Sequence, residues 1–134
     1  MKKLILLIFL TLLCGVVNAQ EINIVGKWKV KEIISPKAVD NENIRSIVNG
    51  LSQSTFNIKG DNSISITSPN PTVGSSFFNT MVKDAKWNYK DNLITLVDKN
   101  TKGLIMKIIV SIKDGKTIFR FEETNLILEV IKEV

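Results

Sequence analysis

From Gly26 onward, apolar and polar positions alternate with a period of two over most of the chain. Trp28 and Val30 fall on one face, with Lys27, Lys29 and Lys31 on the other. That pattern predicts a strand from Gly26 to about Ile34, ended at Ser35-Pro36 because proline lacks the ladder donor. Gly26 lets the backbone pass close to a packed neighbour. Strict alternation also places Glu32 on the face of Trp28, near a rim. At Asp40 the period changes. Ile44, Ile47, Val48 and Leu51 lie at i, i+3, i+4 and i+7, the stripe of an amphipathic helix over 40–51. Asp40 is placed to cap its start, and Gly50 stands near its end.

Two short alternating runs follow, 54–59 and 63–67, joined by the turn residues Gly60-Asp61-Asn62 as a hairpin. Phe56 and Ile58 share a face, as do Ile64 and Ile66. The stretch 68–76 contains two prolines and a glycine, which predicts a long loop that carries Phe77, Phe78, Met81 and Val82 onto the core or its mouth. The second half is more regular. Strands at 85–89 and 93–97 flank the turn at Lys90-Asp91-Asn92, and a polar loop over 98–103 leads into a strand at 104–112. Asp114-Gly115 is the strongest hairpin signal, followed by strands at 117–122 and 126–131.

Eight strands in sequential hairpin order predict an all-β, eight-stranded antiparallel up-and-down barrel, with one helix inserted between strands 1 and 2. Closure would remove both sheet edges. The interior of such a barrel holds its own side chains or one small ligand. Arg120 and Glu122 face outward, which sends Phe119 and Phe121 inside. By the same test Met106, Ile108, Val110 and Ile112 point inward, with Leu126, Leu128 and Val130. Ile105, Ile109, Ile118, Ile127 and Ile131 are then left on the outside of three neighbouring strands. The helix has two docking sites, over the barrel mouth as a lid or against the outer wall, and the end position is favoured.

The N-terminus adds a different signal. Lys2 and Lys3 precede an apolar run from Leu4 to Leu13, and Val17-Asn18-Ala19 supplies small residues before Gln20. This is the form of a secretory signal peptide cut after Ala19, its apolar run too short for a comfortable membrane span. The protein is then expected to be periplasmic or secreted. Lipoprotein processing at Cys14 is the alternative, which the bulky Leu13 before it disfavours. Removing 19 of 134 residues leaves 115, one domain over 20–134. Cys14 is the only cysteine, so the mature chain forms no disulfide. Without Lys2 and Lys3, the 18 basic residues become 16 against 13 acidic ones, a net +3. The lysines are spread singly rather than in a stripe, which excludes a nucleic-acid surface.

Catalysis finds no footing. The chain has no histidine; the mature part has no cysteine nucleophile and no Gly-x-Ser-x-Gly elbow. Asp61, Asp91, Asp98 and Asp114 read as turn formers. No catalytic residue, metal ligand or cofactor is expected. The candidates for a ligand site are interior: Trp28, Val30, Phe56, Ile58, Ile64, Ile66, Trp87, Tyr89, Met106, Ile108, Phe119 and Phe121. Trp28 is expected to plug the closed end.

Gly26-x-Trp28 at the head of the first strand resembles the opening of lipocalins, and Gly-x-Trp-Lys-Val is also similar to the start of fatty-acid-binding proteins. The latter have ten strands, two lid helices and a late Arg-x-Tyr carboxylate clamp. Here the late arginine stands in Arg120-Phe121-Glu122, so that clamp is missing. The layout resembles small secreted bacterial lipocalin-like domains of the calycin type. The resemblance implies a barrel that binds a small apolar or amphipathic molecule inside. The alternative is a solid-core interaction module that uses the outer patch of Ile105, Ile109, Ile118, Ile127 and Ile131, or the loops, against a protein partner.

Overall fold

In the computed structural model, residues 22–35 and 40–134 are described. The segment expected to be a signal peptide, Cys14 and Pro36 lie outside them. Eight strands form a single antiparallel sheet: β1 (Gly26–Ser35), β2 (Thr55–Ile58), β3 (Ile64–Thr67), β4 (Ala85–Lys90), β5 (Leu93–Asp98), β6 (Leu104–Lys113), β7 (Lys116–Phe121) and β8 (Ile127–Glu133). The spatial order is β3-β2-β1-β8-β7-β6-β5-β4, so the last strand pairs with the first, as closure of an up-and-down barrel requires. The sheet ends are β3 and β4. A single bridge, Ser63 with Lys86, joins them, helped by Trp87 N–H to the Asn62 carbonyl at 2.9 Å and Asn62 Nδ2 to the Trp87 carbonyl at 3.0 Å. The result is a nearly closed barrel with one seam.

The turns follow from residue chemistry. Asp91 and Asn92 have φ of 52° and 61°, and Asp114 and Gly115 have 53° and 75°. Two successive positive φ values match the right-handed twist of hairpin strands, and Asn, Asp and Gly tolerate them best. Gly26, at φ 142°, does the expected service of close approach: a Cβ there would lie 2.7 Å from Lys132 Cε.

Strict alternation fails at two places on β1, between Val30 and Glu32 and between Ile33 and Ser35, and the first has a consequence. The register with β8 runs Val30 to Val130 and then Glu32 to Glu129, so the strand bulges at Lys31. The extra residue turns Glu32 outward, where it is exposed, and returns Ile33 to the inner face opposite Leu128. A carboxylate inside the bore would carry a large desolvation cost. Ile112, expected inside, is exposed because β6 and β7 run out past the core into their hairpin.

Two helices cover one end of the barrel, where one was expected. The first, α1 (Glu42–Leu51), is capped by Asn41 and not by Asp40; the Asn41 side chain accepts from Asn43 and Ile44 N–H. Gly50 is not a terminator but a buried residue inside the helix. The second, α2 (Val73–Lys83), occupies what the prolines of 68–71 suggested was loop. Thr72 caps it in a capping box with Ser75, and Phe78 and Val82 form its buried face at i and i+4. The connections β1–α1–β2 and β3–α2–β4 both leave and enter the sheet at the same end, which places both helices over that mouth.

The helices are clasped together. Thr72 Oγ1 donates to the Ser46 carbonyl at 2.5 Å, and Gly74 N–H donates to Ser46 Oγ at 2.8 Å. A Cβ on Gly74 would lie 2.5 Å from the backbone nitrogen of Ile47, and one on Gly50 would overlap Ser75. Ser54 ties the pair down: its Oγ donates to the Gly50 carbonyl at 2.8 Å, and its carbonyl accepts from Val30 N–H at 2.8 Å.

Candidate ligand cavity at the barrel mouth

Ten of the twelve interior candidates are buried: Trp28, Val30, Phe56, Ile58, Ile64, Ile66, Met106, Ile108, Phe119 and Phe121. Trp87 and Tyr89 are half-buried beside the seam. The Trp87 indole donates to the Lys59 carbonyl at 2.9 Å, and the Tyr89 hydroxyl meets Asn92 Oδ1 at 3.1 Å.

Inside the bore the rings meet one another. Trp28 and Phe119 have centroids 5.6 Å apart, Phe56 and Phe119 6.1 Å, and Phe56 and Phe121 6.2 Å. These are the separations of aromatic pairs in packed cores. Trp28 closes the end opposite the helices. Its Nε1 donates to the Ile24 carbonyl at 2.9 Å, and Lys132 Nζ stands 5.5 Å from its ring centroid. Ile24 is itself buried, so the segment before β1 folds across this end.

Open apolar space lies instead at the other end. A cavity of about 150 Å³ sits between the helix pair and the barrel rim. Its walls are Ile44, Ile47 and Val48 from α1, Phe77, Phe78 and Met81 from α2, and Ile105, Met106, Phe121 and Leu126 from the sheet. Phe78 reaches down to Phe121 at 5.8 Å between centroids and forms the cavity's link to the bore. Of the sequence candidates, only Met106 and Phe121 line it. Phe77, Phe78 and Met81 were expected at the core or its mouth, but the helix that carries them was missed because the prolines and serines of 68–76 hid it. The Thr72-x-x-Ser75 spacing and the Phe78–Val82 interval were the available signals.

Around this mouth the surface is unusually apolar. Val73 is 88% exposed and Phe77 63%, and Ile44, Met81 and Leu104 are exposed beside them. Val73, Phe77 and Met81 lie at i, i+4 and i+8 on one face of α2.

The outer isoleucines form no such cluster. Ile105, expected on the outside, instead packs against the core and lines the mouth cavity; Ile109, Ile118 and Ile127 are half-buried and Ile131 is exposed. Arg120 stands between Ile109 and Ile127 in the register, and Ser111 and Glu129 flank Ile118. Glu129 is buried on this outer side with Lys31 Nζ at 3.6 Å. Charged neighbours with long stems interrupt the patch.

Two carboxylates among the described residues are shifted by their hydrogen bonds. Asp98 is held below the usual carboxylate range because its side chain accepts from the N–H groups of Thr101 and Asn100. Asp61 is lowered by the hydroxyl and N–H of Ser63. Both shape turns. Among the described residues, no group of three or more His, Cys, Asp or Glu is placed to hold a metal ion, and no helix is long and apolar enough to cross a membrane.

The fold and the cavity together define an eight-stranded antiparallel barrel whose mouth is covered by a helix pair. Comparison with protein-family models, with curated proteins and with solved structures finds no match to this chain.

Proposed function

We propose that this is an exported, lipocalin-like binding protein that takes a small apolar or amphipathic molecule at the mouth of the barrel, beneath the helices. The observation that carries the reading is the roughly 150 Å³ cavity walled almost wholly by aliphatic, methionine and phenyl side chains. Ligand pockets are concave and mostly apolar, with few polar groups to orient the guest. A void near 150 Å³ is about half the ~300 Å³ at which ligand pockets usually begin, so it suits only a single ring or a short chain. The aromatic packing of the bore leaves the mouth as the place for a guest. Export rests on the N-terminal pattern ending at Ala19. The role proposed is binding, not catalysis.

Titration of the mature chain with benzene or hexan-1-ol tests this. Binding to the folded state alone raises the melting temperature with ligand concentration. Val48→Phe, which fills the cavity, is expected to abolish that rise. A melt indifferent to both ligands would remove the basis for the proposal.

A second reading has its own observation, the exposed stripe of Val73, Phe77 and Met81 on α2, which is a surface fit for a protein partner. Val73 does not line the cavity. Val73→Ser therefore separates the two readings: it should weaken a protein complex and leave small-ligand binding unchanged.

A further inference from the structure

We propose that Met81 is a redox-sensitive modification site: oxidation of its thioether to the sulfoxide by a peroxide weakens the hold of the mouth cavity on an apolar guest, and reduction restores it. This rests on the binding role proposed above. The chain has three methionines, Met1, Met81 and Met106, and the latter two both line the same cavity. They differ in access. Met81, on the exposed face of α2 with Val73 and Phe77, is 38% exposed, whereas Met106, on β6 opposite Leu96, is 7% exposed. Oxidation follows exposure, so a peroxide reaches Met81 first. Cys14 precedes Gln20, so on the export reading these two thioethers are the only sulfur in the mature chain.

In the reaction, the sulfur of Met81 attacks one peroxide oxygen. The O–O bond breaks, an S–O bond forms, and the other oxygen leaves with both hydrogens as water. Sulfur gives up two electrons and the peroxide takes them, so no further reactant is needed. The product is polar where the thioether was apolar. While the cavity is empty, the exposed sulfoxide oxygen keeps its water and the fold loses little. A guest changes that. The helix side of the cavity is otherwise Ile44, Ile47, Val48, Phe77 and Phe78, none of which offers a side-chain donor. An apolar guest seated against them strips water from the sulfoxide and returns no hydrogen bond. The penalty falls on the bound state.

The experiment treats the mature protein with hydrogen peroxide, locates the added oxygen by peptide mass spectrometry, and titrates benzene before and after. Oxygen should appear at Met81 ahead of Met106. Benzene affinity should then fall by on the order of tenfold, the lower end of the cost of an unpartnered buried polar group. The denaturant midpoint should move little, and methionine sulfoxide reductases should restore binding. Met81→Leu and Met106→Leu, both close to volume-conserving, assign the effect. Peroxide should leave the benzene affinity of the first where it started and still lower that of the second. Sulfoxide at Met81 with benzene affinity unchanged would overturn the inference, as would a peroxide-induced loss that persists in Met81→Leu, or oxidation of Met106 ahead of Met81. If benzene fails to bind before any peroxide is added, the cavity reading itself falls and this inference with it.

Discussion

Trp28 is fixed by three interactions of different kinds: its ring against Phe119, its indole N–H on the Ile24 carbonyl, and the Lys132 ammonium over its face. Only the first was open to sequence reasoning, because alternation puts Trp28 and Phe119 on inner faces. The other two depend on where the segment before β1 and the end of β8 come to rest. Trp28→Ala should cost about 3–5 kcal/mol, as removal of a large buried aromatic does. Trp28→Phe keeps a ring but leaves the Ile24 carbonyl without its donor, a loss of about 1 kcal/mol beyond the repacking. Denaturant melts of the two variants check both figures. Glu32 shows the opposite case: period-two counting sent it inward, and a bulge that no local residue announces sent it out. At Asp98, two backbone N–H groups favour the ionised carboxylate. Its midpoint in an NMR titration should lie below that of an unstructured Asp. Because the folded value is depressed, the associated stabilisation is present above the unfolded value and fades as pH falls through the folded one. An Asp98 midpoint at or above the unfolded value would contradict its hydrogen bonds from Asn100 and Thr101 N–H.

At the scale of elements, every strand and the first helix could be read from periodicity, and the second helix could not. The stretch 68–76 offers Pro69, Pro71, Gly74 and three serines, all poor in helix propensity. Yet Gly74 and Ser75 are the residues that permit α2 to exist where it does. They are small because α1 lies against them, with Gly50 supplying the matching gap on the other side. Tertiary contact outweighs propensity here, and a single sequence does not display tertiary contact. The clasp is testable. The Cβ of Gly74→Ala meets backbone at Ile47, which cannot rotate away, so the helices must part or shift. A loss of about 1–3 kcal/mol is expected, as for overpacking elsewhere. Gly103→Ala, where a Cβ would meet only the Thr101 hydroxyl at 3.3 Å, should cost clearly less. Equal losses at the two positions would mean the helices are not in close contact.

The whole molecule was readable in its architecture and not in its empty space. Sequential hairpins gave a barrel with β1 against β8, and that is the observed topology. Whether eight strands enclose a ligand or fill themselves depends on how Trp28, Phe56, Phe119 and Phe121 meet, which alternation leaves undetermined. The seam at β3 and β4 likewise follows from α2 being inserted between them. For the exported form, intact-mass measurement should find an N-terminus at Gln20; a lipid-modified Cys14 would instead make it a membrane-anchored protein. The central claim is spatial: the barrel's bore is solid and its guest site lies under the helices. A crystal of the mature protein held under xenon pressure addresses it directly. Xenon is expected at one apolar site bounded by Val48, Phe78, Met106 and Phe121. Xenon among Trp28, Phe56 and Phe119, with none beneath the helices, would contradict the account.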